Sequence, residues 1–224
     1  MSVNEAYYQF SLLLNKNSER KNIEIGRENF VILYNREIQR WLAEFIEKNM
    51  HSDNILTIAE LLVHDYELEK TSIDGNHIHY KVPEDYFQIL AGNSYSNVTK
   101  GSCTGIIYNY FKKPNDFNTQ IEDKFLRPSF EWERGLGEIF SHGIVIYTGD
   151  FTVQNTYIAY FKTPPKIDME GYIHIDGTPS KNIDPQISDY LVGQVIDRVV
   201  VEVTREFSDQ LGFQLAETRK QITI

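Results

Sequence analysis

The sequence predicts an α+β fold in which terminal helices form a helical bundle and an antiparallel β domain is inserted between them. Three observations carry this reading. Apolar residues recur every three to four positions toward both ends of the chain but every two positions in its middle. The middle region stops at Pro164 and Pro165, directly after the alternating stretch "YIAYFK"; neither proline has an N–H for a ladder, and each fixes its own φ. From "NIDPQ" onward an apolar helical pattern returns. The expected organisation is therefore residues 1–63 with 183–224 as the bundle, and residues 64–182 as the inserted β-rich domain.

Taken in order, "SVNE" opens a first helix with capping-box chemistry, since Ser2 and Glu5 stand three apart. Ala6, Phe10, Leu13 and Leu14 make its apolar face. After the break "NKNSERKN", a helix is expected from Arg27 to Asn49, where Phe30, Tyr34, Ile38, Trp41, Leu42 and Phe45 form one stripe. The apolar segment Leu56 to Val63 suits a third helix or a first strand equally. Beyond it, Asp74 to Asn76 reads as a hairpin turn between "HDYELEKTSI" and "HIHYKV". "DYFQIL" and "GIIYNYF" are expected strands separated by a Ser/Asn/Gly loop. "RPSFEWERGLGEI", "HGIVIYTGD" and "FTVQNTYIAYF" supply three more, with Gly135 and Gly137 marking a bulge or turn. In the last helix Asp184 is the expected N-cap and Pro185 the first-turn proline, followed by a stripe of Ile187, Leu191, Val195, Val199, Val203 and Phe207.

Composition narrows the function classes. The chain has 224 residues and a net charge of −10, enough length for a substantial core and the wrong sign for gripping a phosphate backbone. Acidic residues exceed basic ones in each of residues 1–60, 61–182 and 183–224, so the acidity is spread out. The densest basic site, Lys112 and Lys113, reads as a solvated turn. Tyrosine, at 14 residues against 2 Trp, suits strands and half-wet interfaces. A single cysteine, Cys103, rules out an intrachain disulfide framework; no basic neighbour activates it, and it is expected to be buried. The N-terminus shows no secretory signal pattern, and no apolar run approaches a membrane span in length.

Candidate chemistry is sparse. His77 and His79 share one face of a strand and, with His174, would supply three imidazoles to a metal. Two solvated histidines and one unrelated one explain the same pattern. Glu131 and Glu133 in "FEWERG" resemble a carboxylate pair, but a glycosidase pair flanks a cleft, usually from separate strands. No Walker, G-x-S-x-G or G-x-G-x-x-G motif is present. The reading is a non-enzyme with no cofactor and no bound metal.

The order of several stretches resembles one family over essentially the whole chain. "NEAYYQFSLLLNKN", "FVILYNREIQRWLAEF", "VPEDYFQILAGNSYS", "FTVQNTYIAYFKTPPKID" and "DPQISDYLVGQVIDRVVVEVTREF" follow one another in a single run. This looks like the ring, or head-to-tail adaptor (connector), proteins of short-tailed phages, above all the crAss-like phages of Bacteroides. The proline-ended strand followed by a D-x-x-I-x-x-x-L-V helix is the most telling part. The resemblance implies a structural virion protein, made in the host bacterial cytoplasm and located at the head–tail interface. It implies a dodecameric ring beneath the portal protein that prolongs the channel into the tail. Its partners would be copies of itself, the portal and other tail rings; genomic DNA would pass without specific binding, and no membrane would be involved. The alternative is a β-rich carbohydrate-binding module, for which Trp132 is the one plausible tryptophan platform, because Trp41 falls on a helix stripe.

The C-terminal stretch "LGFQLAETRKQITI" no longer continues the stripe of the last helix. Phe213, Leu215, Ile222 and Ile224 are apolar, while Arg219 and Lys220 place positive charge on an acidic chain. A frayed end and an arm that orders against a neighbouring subunit or the portal both fit this composition.

Overall fold

The computed structural model of the chain describes residues 1–17, 23–50, 52–112, 120–140 and 143–206. Its content is mixed α and β, and the chain divides into two compact units, residues 1–60 with 164 onward and residues 61–163. The far boundary differs from the sequence expectation, because residues 164–182 belong with the helices and not with the sheet. Local bonding gives the reason. The Asn35 side chain both donates to the Ile167 carbonyl and accepts from the Ile167 N–H, each at 2.9 Å, and so fixes the segment after the prolines on a helix.

In the first unit, α1 (Val3–Asn17) starts with the expected reciprocal cap. The Glu5 N–H donates to Ser2 Oγ at 3.3 Å, and the Ser2 N–H donates to Glu5 Oε2 at 2.7 Å. A further orphan donor, the Val3 N–H, reaches the Asp184 carboxylate at 2.8 Å. Asp184 therefore caps α1 and not the final helix. That helix, α3 (Asp189–Glu206), starts later, with the Val192 N–H bonded to the Ser188 carbonyl at 3.0 Å. The long helix α2 (Arg27–Asn49) has the bounds read from its stripe, with Ile46 fully buried and Phe45 only partly so. Phe10 of α1 and Phe30 of α2 pack with ring centroids 5.0 Å apart. Arg198 of α3, itself buried, pairs with Glu44 of α2 at 2.7 Å. Leu191, Val195 and Val199 have no exposed surface, in keeping with the wide stripe read from the sequence.

Among the described residues, the second unit forms one eight-stranded sheet. A 3₁₀ segment, Asp53–Leu61, runs straight into the first strand, so the ambiguous stretch around Leu56 to Val63 contains both structures. The strands are β1 (Leu62–Glu67), β2 (Lys70–Asp74), β3 (His77–Tyr80), β4 (Tyr86–Lys100), β5 (Cys103–Phe111), β6 (Arg134–Phe140), β7 (Gly143–Tyr147) and β8 (Thr152–Lys162). Their order is β1-β8-β4-β5-β6-β7-β3-β2. All neighbours are antiparallel except β5 and β6, which run parallel and so correct the purely antiparallel expectation. β5 ends at Phe111 and β6 begins at Arg134, a separation in sequence long enough for parallel pairing.

β1 and β2 lie at opposite edges although only Leu68 and Glu69 separate them, so the sheet curls until its edges nearly meet. The Leu68 N–H donates to the Thr156 carbonyl, and the Lys81 N–H to the Glu69 carbonyl, both at 2.9 Å. The expected loop between "DYFQIL" and "GIIYNYF" is instead the middle of β4. Gly92, at φ +84°, sits where the pairing with β8 slips between Ile89 and Ser94, so the Gly-Asn-Ser stretch forms a bulge inside a strand.

The curled sheet encloses an apolar cluster that includes Ile78, Val98, Ile107, Ile146, Val153 and Ile158. It also holds a chain of buried polar side chains. The Thr156 hydroxyl donates to Tyr80 Oη at 2.8 Å and lies 2.9 Å from Ser96 Oγ. Asn109 Nδ2 donates to Ser96 Oγ at 2.9 Å and to Ser94 Oγ at 3.2 Å. This chain links β3 to β5 through β8 and β4, across the interior that the curl creates. Gly135 packs its bare Cα against the Asn109 side chain, and Gly137 against the Phe111 ring, where an added Cβ would lie 2.6 Å from a ring carbon. The two glycines therefore mark close approach within β6, not a bulge or turn.

Candidate interaction surface

Alternation along the strands decides what the outer face of the sheet presents. β4 turns Ser94, Ser96 and Val98 inward and leaves Tyr95, Asn97 and Thr99 facing out. β5 buries Ile107 and Asn109 while Ile106, Tyr108 and Tyr110 stand 48%, 49% and 46% exposed. Register then places Glu67, Tyr157, Tyr95, Tyr108 and Arg134 directly opposite one another in one row over β1, β8, β4, β5 and β6. The Tyr95 and Tyr157 rings stack, with centroids 5.0 Å apart and planes 23° apart. At one end of the row Glu67 accepts from the Tyr157 hydroxyl at 3.4 Å and from the Asn155 amide. At the other, the Arg134 guanidinium lies 5.2 Å from the centre of the Tyr110 ring. The result is an aromatic face with opposite charges, Glu67 and Arg134, at its two ends, a composition suited to protein–protein contact.

The first unit carries a second exposed feature, the loop from Asp168 to Ile183, whose ends pair with each other. The Asp168 carboxylate organises it. It accepts from the N–H groups of Met169 and Lys181, both at 2.9 Å, from the Tyr172 hydroxyl at 2.5 Å, and sits 3.1 Å from His174 Nε2. Burial works to raise this carboxyl, but the four donors outweigh it and hold its pKa below the usual carboxylate value. The Tyr172 hydroxyl is pushed upward, first by burial and then by its hydrogen bond to the Asp168 carboxylate. At the tip, Asp176 accepts from the Thr178 N–H at 2.9 Å and hydroxyl at 2.6 Å, and Ile173 and Ile175 project with 69% and essentially all of their surface exposed.

The residues singled out from sequence fall as follows. His77 and His79 share β3, and the His77 ring meets the Tyr147 ring with centroids 4.5 Å apart. His174 is the partner of Asp168, and among the described residues no group of three His, Cys, Asp or Glu side chains is placed to hold a metal ion. Glu131 and Glu133 do not share a strand face, since both lie in the turn before β6, where Glu133 takes φ +49°. Glu131 instead accepts from Lys100, which also bonds Asp150, and from the Ser129 hydroxyl at 3.2 Å. Cys103 is exposed, contrary to expectation, because it is the first residue of β5 and pairs with Lys100 at the rim of the hairpin. Trp41 is buried against Phe45, and Trp132 is 72% exposed. Phe213, Leu215, Arg219, Lys220, Ile222 and Ile224 lie outside the described residues. The tyrosine row was invisible in the sequence because it needs the register of five strands. The Asp168 loop had a faint signal in the turn-forming residues of "DGTPS".

No described helix is long and apolar enough to cross a membrane. In comparisons with known proteins, no protein-family model matches the chain and no curated protein is significantly similar to it.

Proposed function

We propose that the chain is a structural virion protein: a ring-forming head-to-tail adaptor, without catalytic activity or cofactor, that extends a portal channel into the tail for genome retention and passage. The observation that carries this reading is the outward row of Tyr157, Tyr95 and Tyr108 with its charged ends, continued on β5 by the exposed Ile106 and Tyr110, a face suited to contact with another chain. A ring subunit presents two lateral and two axial surfaces, and an amphipathic aromatic sheet face suits them. In this reading the terminal helices act as a bundle that docks on the portal or an adjacent ring, and the curled sheet forms wall. The net charge of −10 suits a conduit that repels the phosphate backbone, so that DNA slides through unheld.

Electron microscopy of purified protein and of virions tests it. Dodecameric rings and density at the head–tail junction are expected; a protein that stays monomeric and is missing from particles would overturn the proposal. Tyr95→Ala with Tyr108→Ala should abolish rings while leaving the circular dichroism spectrum unchanged, because both side chains face outward. The exposure of Trp132 beside Glu131 favours a second reading, a carbohydrate-binding module with Trp132 as stacking platform. A glycan array separates the two, since the ring subunit is expected to bind no specific sugar.

A further inference from the structure

The row over β1, β8, β4, β5 and β6 carries a carboxylate at one end and a guanidinium at the other, and among the described residues neither meets an opposite charge. At the β1 end the groups bonded to Glu67 are neutral, the Tyr157 hydroxyl and the Asn155 amide. The bulge in β1, where Asp65 takes φ +50°, adds a second carboxylate to this end, and Asp65 accepts from the Tyr95 hydroxyl. At the β6 end the Arg134 guanidinium rests on the Tyr110 ring. Its Nε is buried, yet among the described residues it has no hydrogen-bond acceptor. A buried donor left unmet costs free energy, and the planar fork of a guanidinium is best met by a carboxylate. The exposed Ile106, Tyr108 and Tyr110 stand beside it on β5.

Curvature decides how two such ends are used. Five adjacent strands of a curled sheet of eight, whose edges nearly meet, wrap about half of its circumference. The outward side chains at the two ends therefore point away from each other, separated by four inter-strand steps or roughly 19 Å along the surface. One contact cannot engage both ends at once. A twofold contact through either end would set like charge against like. A head-to-tail contact sets the basic end of one copy against the acidic end of the next, and it leaves one free end of each kind to repeat the step.

We propose that the curled sheet associates with further copies of the same chain head to tail, the Arg134 end of one copy against the Glu67 and Asp65 end of the next. The inference rests on the reading of the chain as a self-assembling subunit, and adds to it the direction of assembly and the charges that fix it. In the contact the Arg134 guanidinium takes a carboxylate of the neighbouring copy, while Ile106 and Tyr110 supply apolar surface beside the ion pair.

Charge exchange in the full chain tests the contact by sedimentation velocity at matched concentrations. The wild type is expected to form species larger than a dimer, and to associate at least tenfold more weakly when salt is raised from about 0.05 M to about 0.5 M. Glu67→Arg sets arginine against arginine, and Arg134→Glu sets glutamate against carboxylates. Each variant alone should assemble at least tenfold more weakly, with its circular dichroism spectrum unchanged. Mixed in equal amounts the two should recover assembly, because each supplies the charge that the other lacks. Where Arg134→Glu loses its fold, Arg134→Gln takes its place and should weaken assembly at least fivefold and flatten the salt dependence. Wild-type assembly by a single variant, a wild-type salt dependence in Arg134→Gln, or no recovery on mixing two folded variants would overturn the inference and leave the self-assembling reading standing. Species that stop at dimers would overturn the head-to-tail direction. A wild type that stays monomeric would overturn the inference together with the reading on which it rests.

Discussion

Replacing Gly135 by alanine adds one methyl group to the inner face of β6, where the Asn109 side chain already occupies the space and Ile107 Cγ2 would stand 3.1 Å away. β6 is held between β5 and β7 and cannot retreat without breaking two ladders, so Asn109 must rotate. Rotation breaks its bonds to Ser96 and Ser94, at 2.9 and 3.2 Å. Overpacking costs about 1–3 kcal/mol, and the two buried bonds contribute about 1 kcal/mol each. The reduced freedom of the unfolded chain returns about 0.4–1 kcal/mol. The net loss is about 3 kcal/mol, a fall in Tm of roughly 6–12 °C for a chain of this size. Because the obstacle is one side chain, the loss should depend on it. In an Asn109→Ala background the methyl has room, and Gly135→Ala should then cost under about 1 kcal/mol, a coupling of about 2 kcal/mol. Urea unfolding of the four proteins measures this. If the full cost persists without Asn109, or if Gly135→Ala is harmless by itself, the close approach and the interior polar chain described above are wrong.

Val199 has no exposed surface in α3, so Val199→Asp buries an unpaired charge and should cost about 4 kcal/mol or more; unchanged melting followed by circular dichroism would contradict the placement of the helix. Tyr34 is fully buried, and its hydroxyl has no hydrogen-bond partner among the described residues, so Tyr34→Phe should raise stability by about 1 kcal/mol; a loss in chemical denaturation would reveal a partner. The folded pKa of Asp168 is lowered, so its stabilisation is full above the unfolded value of about 3.9 and is lost as pH falls through the folded value. Asp168→Asn should therefore destabilise the protein by about 2 kcal/mol at neutral pH and flatten the acid limb of a stability–pH curve, and an acid limb identical to that of the wild type would refute the assignment.

The sequence by itself determined what neighbours along the chain decide. The bounds of α2 follow from a stripe of period 3.6, the Ser2–Glu5 cap from a three-residue spacing, the β2–β3 hairpin from Asp-Gly-Asn, and the end of β8 from two prolines that cannot extend a ladder. Each reports a local conformational preference that survives in any fold. Only the tertiary structure decided the rest. Asp184 has the right chemistry for a cap, but which helix it caps depends on a partner 181 residues away. β1 and β2 read as one strand, yet a curl of the sheet sends them to opposite edges. The Gly-Asn-Ser stretch has loop composition, but pairing on both sides keeps it within β4 and reduces it to a bulge. The tyrosine row needed the registers of five strands at once. Spacing along a chain specifies a period and a face; which face meets which is decided by burial of one surface against another, and that information exists only once the chain has folded.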